Sequence, residues 1–99
     1  HSEALVLIKK ALALKPDDPA ILDSMGWAYY NLGNLQLAIQ FLQRAYDSFP
    51  DSEIAAHLGT VYWAIGDLER ARQIWQKALE RDPESQLIKD AISAVKNGI

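Results

Sequence analysis

Apolar residues stand at helical spacing in two long stretches of this chain. Leu35, Ala38, Phe41, Leu42 and Ala45 form the first, and Leu68, Ala71, Ile74, Trp75 and Ala78 repeat it thirty-three positions later. That spacing gathers side chains on one face of an α-helix, not of a strand. Between such stretches lie short polar connectors, where Pro16, Pro19, Pro50 and Pro83 stand with Asp17, Asp18, Asp51 and Glu84. Proline stops one helix and the acidic residues cap the next; Pro19 behind Asp18 reads as a first-turn proline after an N-cap. Gly33-Asn34 and Gly66-Asp67 split each unit in two, the glycine as a left-handed C-cap and the Asn or Asp as the following N-cap. The pattern predicts an all-α chain of helix-turn-helix hairpins.

The hairpins repeat. Gly26, Tyr29, Gly33, Ala38, Ala45 and Pro50 return as Gly59, Tyr62, Gly66, Ala71, Ala78 and Pro83. Self-similarity at this period marks a solenoid, in which each repeat buries its apolar face against its neighbours. Gly26 and Gly59 lie mid-helix, where glycine costs about 1 kcal/mol relative to Ala, and close helix approach is the expected compensation. Ala38 with Ala45, and Ala71 with Ala78, put small side chains on the face that meets the partner helix. Tyr29 and Tyr62 are expected to fill the gaps beside them, and Trp75, on the same small-residue face, reads as core.

The two ends differ. Ala4, Ile8, Ala11 and Pro16 precede Ala38, Leu42, Ala45 and Pro50 by thirty-four residues, so the first helix is the second half of a repeat. Its run Ala4-Leu5-Val6-Leu7-Ile8 is apolar on more than one face, which implies further helices upstream in a longer protein. The opening His1-Ser2, without an initiator Met, fits an excised piece. At the other end Leu87, Ile88, Ala91, Ile92 and Val95 make one apolar stripe, while Lys89, Asp90, Ser93 and Lys96 make a polar one. Ser93 and Lys96 stand where Gly59 and Tyr62 would recur, as in a solvating cap at a solenoid end. The expected organisation is one domain over 1–99: a second-half helix at 3–16, repeats at 19–51 and 52–84, and a capping helix at 85–97, about six helices in all.

Composition narrows the function. A net charge of −3 and a pI near 5.2, with Lys and Arg scattered, argue against a nucleic-acid binder. The absence of cysteine removes thiolate chemistry, disulfides and cysteine metal sites. A single internal histidine, His57, has no nucleophile spaced to pair with it and no metal-ligand constellation around it in sequence. Gly33 and Gly66 lack the spacing of a phosphate-cradling loop. No apolar run reaches the roughly 18 to 20 residues of a membrane helix. The expectation is a non-enzyme without cofactor or metal.

Met25-Gly26-Trp27-Ala28-Tyr29-Tyr30-Asn31-Leu32-Gly33 and Leu58-Gly59-Thr60-Val61-Tyr62-Trp63-Ala64-Ile65-Gly66, each followed by two spaced alanines and a proline, resemble tetratricopeptide repeats. The resemblance covers nearly the whole chain. Leu22 and Ala55 stand where that family often has Trp, and the first full repeat is one residue short in the Phe49 to Ser52 connector. It implies a right-handed superhelical solenoid of antiparallel hairpins, whose first helices line a concave groove that receives a peptide or protein segment. The groove residues it implies are Asp23, Trp27, Tyr30 and Asn31 in one repeat, and Glu53, His57, Thr60 and Trp63 in the next. Trp27 is the leading anchor, since groove-lining aromatic residues are preferred contacts for partner side chains. Tyr30 and Trp63 could equally pack between helices.

Asp23, Glu53, Asp17 and Asp18 make the implied groove mildly acidic, which favours a neutral or basic segment with an apolar anchor. Some members of the family clamp a C-terminal carboxylate with Lys and Asn on this face; Asp23 and Trp27 here argue against that. The alternative function is structural: a C-terminal cap on a longer array, or self-association through the exposed N-terminal helix. The stretch from Glu53 through Trp75 also resembles the terminal repeats of large bacterial cell-envelope repeat lipoproteins, non-catalytic adaptors for envelope proteases or assembly machinery. That likeness implies the periplasm or envelope, with the cytoplasm as the other option.

Overall fold

Each helix begins and ends where the connectors dictate. The computed structural model describes residues 2–97, which form α1 (Ser2–Leu14), α2 (Pro19–Asn31), α3 (Leu35–Ser48), α4 (Ser52–Ala64), α5 (Leu68–Arg81) and α6 (Gln86–Asn97). His1 lies outside the described residues. No helix among them is long and apolar enough to cross a membrane. Side-chain oxygens satisfy the helix starts: Asp18 accepts from the Ala20 and Ile21 amides, Asn34 from Leu37, Asp51 from Ile54 at 2.8 Å and Asp67 from Arg70. These caps are each worth about 1 kcal/mol.

The two glycine turns are alike. Gly33 and Gly66 adopt φ of 84° and 93°, in the left-handed region. The Gly33 amide donates to the Tyr30 carbonyl at 3.0 Å and the Asn34 amide to Tyr29 at 2.9 Å; Gly66 and Asp67 do the same to Trp63 and Tyr62. This is the Schellman arrangement, and its last residue is already the N-cap of the next helix. Three residues therefore close one helix and open another.

The chain divides between Pro50 and Asp51 into two compact units. In the first, α2 packs on α3 and on α1. A Cβ at Gly26 would sit 2.5 Å from Leu42 Cγ and 3.0 Å from the Ala38 carbonyl oxygen, so only glycine permits this approach. Leu22, Met25, Ala38, Leu42 and Ala45 are buried, and the Tyr29 ring stacks on Phe41 at 5.7 Å. Arg44 ties α3 to the first connector by donating to the Pro16 carbonyl at 3.3 Å beside the Asp17 carboxylate. The outer side of α1 stays apolar and open, with Val6, Leu7 and Leu14 exposed by 54, 68 and 84%.

In the second unit α4 packs on α5 and α6, and α6 also touches α5. Here a Cβ at Gly59 would land on the Trp75 indole. Trp75 is 3% exposed, with Ala55, Leu58, Val61, Ala71 and Ile88 wholly buried in the same unit. Along α6, Lys89, Asp90, Ser93 and Lys96 are exposed, as expected of a solvating face. Leu87, expected in the apolar stripe, is instead 52% exposed. It precedes Ile88 by one position, about 100° round the helix, and Ile88 takes the inward direction.

Two outcomes follow for urea unfolding. Trp75→Ala is expected to lower stability by about 3 to 5 kcal/mol as a core truncation. Gly59→Ala improves helix propensity by about 1 kcal/mol but overpacks the indole by about 1 to 3 kcal/mol, so a net loss is expected. A Gly59→Ala variant as stable as the parent would contradict the close-approach account.

Candidate partner-binding faces

On α2, Asp23, Trp27 and Tyr30 follow at intervals of four and three residues and so share one row, with Asn31 beside it. Asp23 is 7% exposed, Trp27 and Tyr30 are half-buried, and Asn31 is exposed at the helix end. The two rings stack at a centroid distance of 4.7 Å and an interplanar angle of 25°. They form a flat aromatic surface with two polar tips, suited to an apolar anchor flanked by hydrogen-bonding groups.

On α4, Glu53, His57 and Thr60 also follow at intervals of four and three residues and share a row of that helix. Glu53 is exposed, and His57 and Thr60 are half-buried. The Thr60 hydroxyl donates to the Ala56 carbonyl at 2.9 Å, so its proton is committed within the helix. Trp63, in the repeat column of Tyr30, lies three residues beyond Thr60 and about 80° round the helix from Glu53. Its ring stacks on Trp75 of α5 at 6.0 Å, and the Arg72 guanidinium sits 5.8 Å above it.

Trp63 and Trp75 belong to a cleft of about 530 Å³ in the second unit. Leu79, Ile92 and Val95 complete its apolar walls, and Arg72, Gln76, Glu80 and Lys96 form its polar edge. Sequence reasoning identified Trp63 but not this cleft. Its signal is the Ile92, Val95, Lys96 spacing on α6, which reads only as an ordinary amphipathic stripe without the position of α5.

The tetratricopeptide repeat family model matches residues 1–57 and 33–95. The chain belongs to the tetratricopeptide repeat family. TPR repeat-containing protein PA4667 of Pseudomonas aeruginosa is 54% identical to it over 57 residues, covering 58% of this chain and 10% of that protein. The chain thus matches only a tenth of that curated relative. Among solved structures, the thermophilic TPR protein TTC0263 of Thermus thermophilus superposes with a TM-score of 0.85 at 28% identity, over 95% of this chain and 49% of that one. The first TPR of Spaghetti (RPAP3), bound to the HSP90 peptide SRMEEVD, gives a TM-score of 0.83 at 18% identity, over 98% and 78% of the two chains. The all-α helical-repeat fold read from the sequence is the fold of these proteins, and it is a protein-interaction fold, generally non-enzymatic.

Acrylamide quenching checks the aromatic placements. With Trp63 and Trp75 replaced by Phe, the emission of Trp27 is expected to be quenched several-fold more strongly than that of Trp75 in a Trp27→Phe, Trp63→Phe chain, because Trp75 is 3% exposed. Equal quenching would place Trp27 in the interior.

Proposed function

We propose that this tetratricopeptide-repeat chain is a non-catalytic interaction scaffold that holds a peptide or protein segment on the outward faces of its first-half helices. The observation that carries the reading is the Trp27–Tyr30 stack, half-exposed on α2 in one row with Asp23. Aromatic side chains of this kind supply most of the contact energy where a partner's apolar residue is anchored. Asp23 on α2, and Glu53 on α4, favour a neutral or basic segment around that anchor. The Spaghetti domain holds a peptide with three acidic residues, SRMEEVD; such a peptide would meet like charge on these rows. A bacterial envelope setting, as an adaptor portion of a repeat lipoprotein, is the wider form of the proposal; the Pseudomonas relative supports only its bacterial part.

A second reading has its own support. The solvated face of α6 favours a structural cap on a longer array, and exposed Val6, Leu7 and Leu14 favour self-association through α1.

A library of short peptides graded in charge and aromatic content, tested for binding by the chain, separates these readings. Peptides with an apolar anchor and neutral or basic flanks are expected to bind, and Trp27→Ala to weaken them at least about tenfold with a stability change under about 1 kcal/mol. Binding that is unchanged in folded Trp27→Ala, or preference for acidic peptides, would sink the scaffold reading as stated.

A further inference from the structure

We propose that the cleft of the second unit binds a small amphiphilic carboxylate, of the class of a medium-chain fatty acid, with its charged end held by Arg72 and Lys96. The site uses no residue of the Trp27 row, so it stands whether or not a peptide is held on α2.

The cleft measures about 530 Å³, within the roughly 300 to 1,000 Å³ of small-molecule sites. Two stacked rings, Trp63 and Trp75 at 6.0 Å, make its floor, and the half-buried Leu79, Ile92 and Val95 make its walls. Trp75 turns its indole Nε1 edge toward Gly59, so what it offers the cleft is hydrocarbon. Polar side chains stand only on the rim. An alkyl chain therefore enters without stranding a polar group of either partner.

The rim is charged unevenly. Arg72 lies one turn into α5 and Lys96 in the last turn of α6, while the 82–85 connector joins the opposite ends of these helices, so both cations share one end of the cleft. The Trp63 ring under its guanidinium, at 5.8 Å, positions Arg72 there. Both cations are exposed, and among the described residues neither is in an ion pair. Arg72 is suited to take a carboxylate through paired hydrogen bonds, and Lys96 adds a point charge. Glu80 stands about 12 Å further along α5 and opposes a carboxylate at that end. Charge thus selects one direction for the ligand, with its apolar end toward Leu79 and Glu80.

The residues of α6 also speak against a helix as the occupant. Second-half helices α3 and α5 enter where α2 and α4 carry Gly26 and Gly59, and Leu42 or Trp75 fills the space a Cβ would need. In those columns, thirty-four residues after Gly59 and Tyr62, α6 carries Ser93 and Lys96, both exposed. The Ser93 side chain takes the space such a helix requires, and Lys96 sets a charge against it.

Titration with decanoate tests the site. Trp27→Phe leaves Trp63 and Trp75 as the only tryptophans, so their emission reports on the cleft. A saturable change with Kd below about 1 mM is expected, at unchanged helical circular dichroism. Decan-1-ol is expected to bind about fivefold or more weakly, and Arg72→Gln with Lys96→Gln, both exposed and so compatible with folding, to weaken decanoate by a similar factor. No saturable change up to about 1 mM, or a change that appears only as helix is lost, overturns the site. Decan-1-ol binding as tightly as decanoate, or indifference to the paired Gln variant, overturns the carboxylate assignment. The free-acid peptide acetyl-Ala-Ala-Phe binding more tightly than decanoate makes the occupant a chain terminus and overturns the small-molecule class.

Discussion

The missing side chains of Gly26 and Gly59 make room for a large side chain of the facing helix, and the remaining packing is arranged around that contact. Leu42 occupies the vacated space in the first unit, Trp75 in the second. Trp75 goes so deep that its indole Nε1 has no hydrogen-bond partner. An orphaned buried donor costs about 1 to 3 kcal/mol. Burying an aromatic ring of 150 to 250 Å² at about 25 cal/mol per Å² returns roughly 4 to 6 kcal/mol, so burial prevails. Leu42 fills the same column without a donor to strand.

That difference in filling propagates to the faces proposed to meet a partner. Tyr30 and Trp63 stand in one repeat column, yet Tyr30 stacks on Trp27 of its own helix and Trp63 on Trp75 of the next. Where α2 has Trp27, α4 has Thr60, so Trp63 has no ring three residues before it on its own helix. Where α3 has Leu42, α5 has the indole. One exchange of aromatic for small, and another of small for aromatic, makes α2 the helix with an aromatic outer row and turns the equivalent ring on α4 toward a cleft.

The features legible in the sequence are those governed by local chemistry or by the repeat itself. Gly33 and Gly66 announced left-handed caps because few other residues take that conformation, and Asp51 and Asp67 announced helix starts because their oxygens reach the third amide onward. Trp75 was readable as core because it shares a column with Leu42 on the small-residue face. Leu87 and Trp63 were not readable in the same way. Both sit near the edge of a helical stripe, where a rotation of a few tens of degrees decides between solvent, partner helix and cleft. The cleft itself depends on the separation of α5 and α6, a tertiary quantity that no spacing along one helix encodes.

The shared turn at Gly33-Asn34, repeated at Gly66-Asp67, bears on how the chain moves. The amides of those residues close the helix before, and the Asn or Asp oxygen opens the helix after, so neither end can fray alone without releasing the other's hydrogen bonds. The smallest cooperative opening is therefore a hairpin and not a helix. Amide hydrogens on the facing sides of α2 and α3 are therefore expected to exchange with solvent as one set, and those of α4 and α5 as another.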